Sequence, residues 1–350
     1  MNVFYKIIIK SFQKISYFWN MIISRENGYI NVLENNDGRV PKKLELSSAI
    51  ANNNRFLAGD TVTIETSSKS LIVKAIYKNR VCFNHMSEIA TSGIDVYGTN
   101  QKEYKWLGTI YPCNSFSMIA EKKINIDGNS RIVLYLPSFA EIKKLLIKCD
   151  NEIHIIGKKR DIIIYGSSIS QGCASSRTAL SYVNILSRLL NCDVQNFGFS
   201  EGCHGEQKMV EYISNLHAKT YIIEYDHNSN IKELNINHLN IYKIIRKKNP
   251  KSNIIFISRL SGGISISEEE NYERIRIINS TYKYAINHND KNVFFINGSE
   301  LFNENKEMLL VDDRHPNDMG MNLIANKLYS IIVEKGDIKN EKNIKKNNPQ

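Results

Sequence analysis

Three side chains in this sequence could together carry out nucleophilic acyl chemistry: Ser168 in YGSSISQG, and Asp312 with His315 in VDDRHPND. A serine hydroxyl is a weak nucleophile until a base takes its proton, and the imidazole that takes it needs a carboxylate to fix its tautomer. Asp312 and His315 lie three residues apart and can supply both from one loop. Ser168 follows the apolar run Ile162 to Tyr165 and a turn at Gly166. It is therefore expected at the carboxyl end of a buried parallel strand, where open α/β sheets hold their ligands. The amino-terminal dipole and free N–H groups of the next helix could there stabilise an oxyanion. Each piece alone has a plainer meaning. Gly-Ser-Ser is also a turn with an N-cap serine, and DxxH is also a surface loop in which Asp313 and Asp318 form turns.

Two more segments place polar, turn-forming residues at strand ends. NFGFSEG, Asn196 to Gly202, has glycines that would let backbone N–H groups approach a substrate, and EYDHN, Glu224 to Asn228, offers the Asn228 amide as an oxyanion donor. The elements that must position all four segments follow from hydrophobic period. After Gly157 and the basic turn Lys158 to Arg160, strands are expected at Ile162 to Tyr165, Val194 to Phe199, Tyr221 to Tyr225, Ile254 to Ser258 and Val293 to Ile296. Helices are expected near Ala179 to Leu190, Gln207 to Asn215, Ile236 to Lys247, Glu269 to Asn287 and Met319 to Val333. Strand and helix in alternation predict a parallel sheet whose carboxyl ends share one edge.

The preceding half reads differently. Short β-type runs at Thr61 to Glu65, Ser70 to Tyr77, Gly93 to Tyr97, Lys105 to Tyr111, Phe116 to Ile126 and Ser130 to Leu136 predict an antiparallel β-sandwich, with Asn100 to Lys102 and Asp127 to Asn129 as hairpin turns. Nothing there pairs a nucleophile with a base. His85, in FNHMSEIATSGIDVYG, is the histidine to watch, although a loop histidine with satisfied hydrogen bonds is the plainer reading. Phe4, Ile8, Phe12, Ile15, Trp19 and Ile22 recur at near-helical spacing beside Lys6, Lys10 and Lys14, which predicts an amphipathic basic helix. It would dock on protein or rest weakly on an anionic membrane surface; it is too often interrupted by lysine to span one. The expected organisation is this helix over 1–27, a sandwich over 28–156, the α/β domain over 157–334 and a disordered Lys/Asn-rich tail over 335–350.

Composition excludes little. The chain has 350 residues and a formal charge of +10, but its lysines are spread widely and form no aromatic-interleaved stripe, so no nucleic-acid partner is expected. Six cysteines without metal spacing suit free thiols in a reducing, cytoplasmic setting and imply no zinc site. The chemistry sketched above needs no metal or organic cofactor.

The order of the blocks resembles the SGNH (GDSL-like) hydrolases. GSS at Gly166 to Ser168 is similar to the family's GDS block, NFGFSEG to its glycine block, EYDHN to its asparagine block, and Asp312 with His315 to its DxxH block. QGCASSR, IIRKKNP, NDKNVFFING, RHPNDMG and HMSEIATSGIDVY further resemble a bacterial subgroup that carries an N-terminal β-sandwich. The resemblance covers about residues 45 to 330. It implies a flavodoxin-like three-layer α/β/α domain with esterase activity, often on acylated carbohydrate. Ser168 would be the nucleophile, His315 the base and Asp312 its carboxylate. Ser168, Gly198, Glu201, Gly202 and Asn228 are the candidates for the oxyanion hole.

Three positions depart from the pattern. Ser167 replaces the usual aspartate, Glu201 stands where the subgroup most often has glycine, and Asp313 takes a place usually held by glycine. A carboxylate near an oxyanion would oppose its charge unless it points away. Two functions outside hydrolysis stay open: transfer of the acyl group to another hydroxyl by the same site, and a non-catalytic cleft that holds a glycan or a partner.

Overall fold

A computed structural model of the chain describes residues 25–26, 28–33, 38–100, 103–126, 129, 131–260, 266–304 and 306–334. The helix expected over 1–24 and the tail from 335 lie outside the described residues. The first strands in chain order are β1 (Arg25–Glu26), β2 (Tyr29–Asn31), β3 (Thr61–Glu65), β4 (Ser70–Arg80) and β5 (Ile94–Thr99). They are followed by β6 (Tyr104–Ile110), β7 (Ile119–Asn125), β8 (Arg131–Tyr135), β9 (Ala140–Lys148) and β10 (His154–Ile156). These ten form two antiparallel sheets, ordered β1-β2-β9-β4-β7 and β10-β3-β8-β5-β6.

Strict alternation explains why the two sheets face each other. Along β4, Leu71, Val73, Ala75 and Tyr77 are buried while Lys74 and Lys78 point outward to ion pairs with Glu121 and Glu141. The inward residues meet Ile64, Ile94, Val96, Ile132 and Leu134 of the other sheet. Each fully buried Val, Leu or Ile there stabilises by about 1.5–3 kcal/mol. β5 and β6, the strands on either side of the hairpin expected at Asn100 to Lys102, pair antiparallel. The segment Asp127 to Asn129 closes no hairpin: β7 pairs with β4 in one sheet and β8 with β3 and β5 in the other, so the chain there crosses between sheets. The residue pattern of a strand does not by itself say which sheet it joins.

Five parallel strands follow: β11 (Ile162–Gly166), β12 (Val194–Gly198), β13 (Thr220–Glu224), β14 (Asn253–Ile257) and β15 (Val293–Ile296), ordered β12-β11-β13-β14-β15. Most of their residues are apolar because both faces are covered, although β12 carries Gln195 and Asn196. The helices in chain order are α1 (Ser48–Asn54), α2 (Glu88–Ser92), α3 (Ser168–Gln171), α4 (Tyr182–Leu190), α5 (Gln207–Ser214), α6 (Ile231–Lys248), α7 (Glu268–Asn287), α8 (Gly298–Leu301), α9 (Lys306–Leu309) and α10 (Asp318–Glu334). Ile162, Ile164, Ile222 and Ile255 pack on α4 and α10, and Ile163, Phe197, Tyr221 and Phe256 on α5, α6 and α7. The result is the three-layer α/β/α arrangement expected, preceded by the sandwich. The long helices start on side-chain caps: Asn230 and Glu233 form a capping box before α6, and Ser267 accepts from the Glu270 N–H before α7.

The sandwich is fixed to the α/β layers by one buried acid. Asp95 of β5 accepts from the Ala179 N–H (2.9 Å), the Arg177 guanidinium (2.8 Å) and the Thr109 hydroxyl. Arg188 of α4 lies over Tyr97 and Tyr135 of the sandwich, 4.8 and 5.2 Å from the ring centroids. Among the described residues no helix is long and apolar enough to cross a membrane, and all six cysteines are free.

Candidate active site

The order β12-β11-β13 places β11 where successive crossovers diverge, so a crevice opens beyond its carboxyl end. Ser168 begins the single turn α3 directly after β11. That turn packs hard against its neighbours, and glycine is what allows it. A Cβ on Gly198 would lie 2.6 Å from the Ser170 carbonyl carbon and the Gln171 nitrogen, and one on Gly166 would lie 2.6 Å from Ser170 Cβ. These glycines serve close packing rather than approach to a ligand. With only one turn, α3 offers almost no macrodipole, so the dipole expected behind Ser168 is reduced to a few free N–H groups.

Ser168 Oγ meets His315 Nε2 at 2.9 Å, and His315 Nδ1 meets Asp312 Oδ2 at 2.7 Å. Asp312 Oδ1 accepts from the backbone N–H of His315 (2.7 Å) and Arg314 (2.9 Å), so the carboxylate also shapes the loop that carries the ring. The β-bridge between Leu310 and Pro316 closes that loop, and Asp313 pairs with Arg314 at 3.4 Å. Burial pushes the His315 imidazolium below its ordinary pKa, against the opposing pull of Asp312. Burial raises Asp312, but hydrogen bonds from the His315 ring and from the His315 and Arg314 N–H groups hold it below its ordinary value. At neutral pH the arrangement is therefore a neutral imidazole with Nε2 free to accept, backed by a carboxylate.

The expected oxyanion donors separate. The Gly198 N–H donates to Asn196 Oδ1 (2.9 Å), the Gly202 N–H closes a turn on Phe199 O (3.1 Å), and Asn228 Nδ2 donates to Phe199 O (3.0 Å) and to Gly202 O. In this arrangement those groups hold the loop. Among the described residues the Ser168 and Glu201 N–H groups have no acceptor. Glu201 adopts φ +57 and its side chain is exposed. The loop is braced from outside the α/β layers as well. The buried Arg39 guanidinium donates to Gly198 O (2.7 Å) and Asn196 O (3.2 Å) and covers the Phe199 ring at 4.1 Å, and Asn53 of α1 donates to Ser200 O (2.9 Å).

Sequence reasoning left the contacts of three polar residues unassigned. Ser167, in place of aspartate, donates its hydroxyl to Glu224 at 2.9 Å, and Ser170 does so at 2.6 Å. A carboxyl therefore does lie under the nucleophile turn, supplied by β13. Burial pushes Glu224 up to about 7, against the hydrogen bonds from Ser170 and Ser167. A single acid in the apolar run TYIIE was the available signal. Asp95, alone in IDVYG, is the second, and His85 is the third. The His85 ring lies nearly parallel to that of His315, with 8° between planes and centroids 5.4 Å apart, and its Nε2 is 3.1 Å from Cys173 Sγ. No local pattern announces a contact that spans 230 residues. Asp226, buried in the EYDHN turn, accepts from Arg274 (2.9 Å) and the Arg259 N–H (2.7 Å) and so fixes the chain beyond β13.

A sheet of this order with a serine, a histidine and a carboxylate at its carboxyl edge defines a class of α/β hydrolase folds, and the sequence agrees. Residues 159–333 match the GDSL-like Lipase/Acylhydrolase family, and residues 24–155 match the domain described as the N-terminus of Esterase_SGNH_hydro-type. The chain belongs to the GDSL-like lipase/acylhydrolase family. Its fold is similar to that of a Bacteroides ovatus protein described as a GDSL-like lipase, with TM-score 0.72 and 24% identity over 86% of this chain and 89% of that one. It is also similar to a salicylyl-acyltransferase from a tetracycline biosynthetic pathway, with TM-score 0.71 and 15% identity over 91% and 94%. A family two carbohydrate esterase from Clostridium thermocellum in complex with cellohexaose aligns with TM-score 0.55 and 15% identity over 81% and 98%. No curated protein matches the chain.

Proposed function

We propose that the protein is a serine ester hydrolase that removes small acyl groups, acetyl first, from hydroxyl-bearing compounds such as carbohydrates. The observation that carries this reading is the unbroken relay from Ser168 Oγ through His315 to Asp312, at 2.9 and 2.7 Å. Ser168 Oγ attacks the ester carbonyl as His315 Nε2 takes its proton, and Asp312 holds the Nδ1 proton and stabilises the imidazolium. The oxyanion faces the Ser168 and Glu201 N–H groups. His315 then returns the proton to the leaving alcohol, and water activated by the same ring releases the acyl group from Ser168.

Asn228 acts through the loop it holds, and residues 28–156 act as a sandwich domain that walls the site of the 157–334 catalytic domain. The cavity beside His85 is about 240 Å³ and is lined by Met86, Ala90, Ala174 and Val311 as well as Ser176 and Asp318, which supports a compact substrate group. The carbohydrate esterases among the structural neighbours support a sugar as the alcohol part. The test is a panel of p-nitrophenyl esters of increasing chain length beside acetylated monosaccharides and oligosaccharides. Rates should be highest for acetyl and fall by octanoyl, with acetate released from the sugars; preference for long chains with inert acetylated sugars would overturn the substrate class.

A further inference from the structure

His85, Cys173 and His315 come from three distant parts of the chain, and each offers one ligand atom, all lying within 4.8 Å of one another. A tetrahedral zinc ion with Zn–N of about 2.0–2.1 Å and Zn–S of about 2.3 Å needs ligand atoms roughly 3.3–3.6 Å apart. His85 Nε2 and Cys173 Sγ are already at 3.1 Å. We propose that these three side chains form a binding site for a thiophilic divalent cation, zinc above all, whose occupation switches off the catalytic histidine.

Asp312 holds Nδ1 of His315, so the lone pair left for a metal is Nε2, the one Ser168 Oγ now meets at 2.9 Å. Metal and nucleophile compete for a single electron pair. The carboxylate behind the ring, needed for base catalysis, is also what orients a metal-ligating histidine. The near-parallel rings mean that His85 must tilt for its lone pair to point at the same ion. Its partners among the described residues are Cys173 Sγ and the rings of Phe83 and His315, so the tilt breaks no backbone hydrogen bond. A cavity of about 240 Å³ borders the cluster, lined by His85 and by Ala174 next to Cys173. On binding, the ion sheds water, the Cys173 thiol loses its proton to solvent, and one Zn–S and two Zn–N bonds form. A water keeps the fourth position, and nothing is oxidised. Two nitrogens and a thiolate select zinc, cobalt or copper over magnesium or calcium.

The effect on activity rests on the reading of His315 as catalytic base, whereas the binding itself does not, and the experiment separates the two. The full chain, freed of metal with EDTA, is titrated with Co²⁺ and followed by absorption. Expected are a thiolate-to-cobalt band and visible d–d bands that saturate at one equivalent and vanish when Zn²⁺ is added. Cys173→Ser should lose the thiolate band, and His85→Ala should weaken binding by roughly tenfold or more. In parallel, Zn²⁺ should inhibit p-nitrophenyl acetate hydrolysis reversibly, while Cys173→Ser keeps the metal-free rate and resists inhibition. A folded wild type without the thiolate band, or zinc inhibition undiminished in both variants, overturns the site. The expected cobalt spectrum in a chain without esterase activity upholds the site and overturns the hydrolase reading instead.

Discussion

At the scale of single residues, the protonation state of His315 decides the pH dependence. Its imidazolium is pushed below the ordinary 6.5, and only the neutral ring can accept from Ser168. The acidic limb of the kcat/KM profile should therefore have its midpoint below 6.5 and be flat at neutral pH; a midpoint above 6.5 would contradict the buried, neutral base. Asp312→Asn should lower kcat by about 10³–10⁴, because the amide favours the wrong tautomer. In the proposed mechanism Glu201 donates through its backbone N–H and its carboxylate has no part. Glu201→Gly, which keeps the N–H and suits φ +57, should leave the turnover of acetyl esters equal or higher. A fall of about tenfold or more in a folded Glu201→Gly variant would show that the carboxylate itself handles substrate. That Ser168, Asp312 and His315 meet could be expected from the sequence because reactive residue types in short ordered blocks are rare. The donors could not be sorted the same way. Whether Gly198 or Glu201 has a free N–H depends on which carbonyls and side chains fold back on it, and Asn228 looks alike whether it faces a substrate or a loop.

At the scale of elements, two buried acids hold the machinery. Asp95 bonds to Ala179, Arg177 and Thr109 at the same time, so Asp95→Ala leaves a guanidinium and a backbone N–H without their acceptor in a buried seam. Such a loss costs about 3–5 kcal/mol. Denaturant titration should show it, with activity falling in step because the α3 to α4 segment borders the site; a loss under about 1 kcal/mol would mean that the clasp is idle. Glu224 lies under α3. Unfolded it ionises near 4.5 and folded near 7, so the unfolded chain alone releases its proton as pH rises between those values. Its contribution to stability is therefore full below 4.5 and declines by on the order of 3 kcal/mol toward pH 7. The stability of wild type minus that of Glu224→Gln should fall across this window and level above it; a flat difference would contradict the buried carboxyl. The parallel strands were legible because both-sided burial writes short apolar runs, as in IIIYG, NIIFI and VFFI. β9, α1 and α2 were not, since AEIKKLLIK mixes buried and exposed positions irregularly and the two helices are too short to show a period.

At the scale of the whole molecule, the sandwich is part of the site rather than an appendage. His85 reaches across to the His315 ring, Arg39 and Asn53 hold the Gly198 to Gly202 loop, and Asp95 clasps the chain after α3. So much shared buried polar contact predicts one cooperative unfolding transition for both parts, seen alike by tryptophan fluorescence and by loss of activity; two separated transitions would contradict it. Sequence pattern could announce a sandwich and a parallel sheet but not their junction, because contacts between distant segments leave no local period. In the proposed reaction Ser168 is made nucleophilic by His315, and covalent labelling by a fluorophosphonate reads that out. One label per chain is expected, located at Ser168 by peptide mass mapping, absent in Ser168→Ala and strongly slowed in His315→Ala. A folded wild type that takes no label, or labelling that persists in Ser168→Ala, would contradict it.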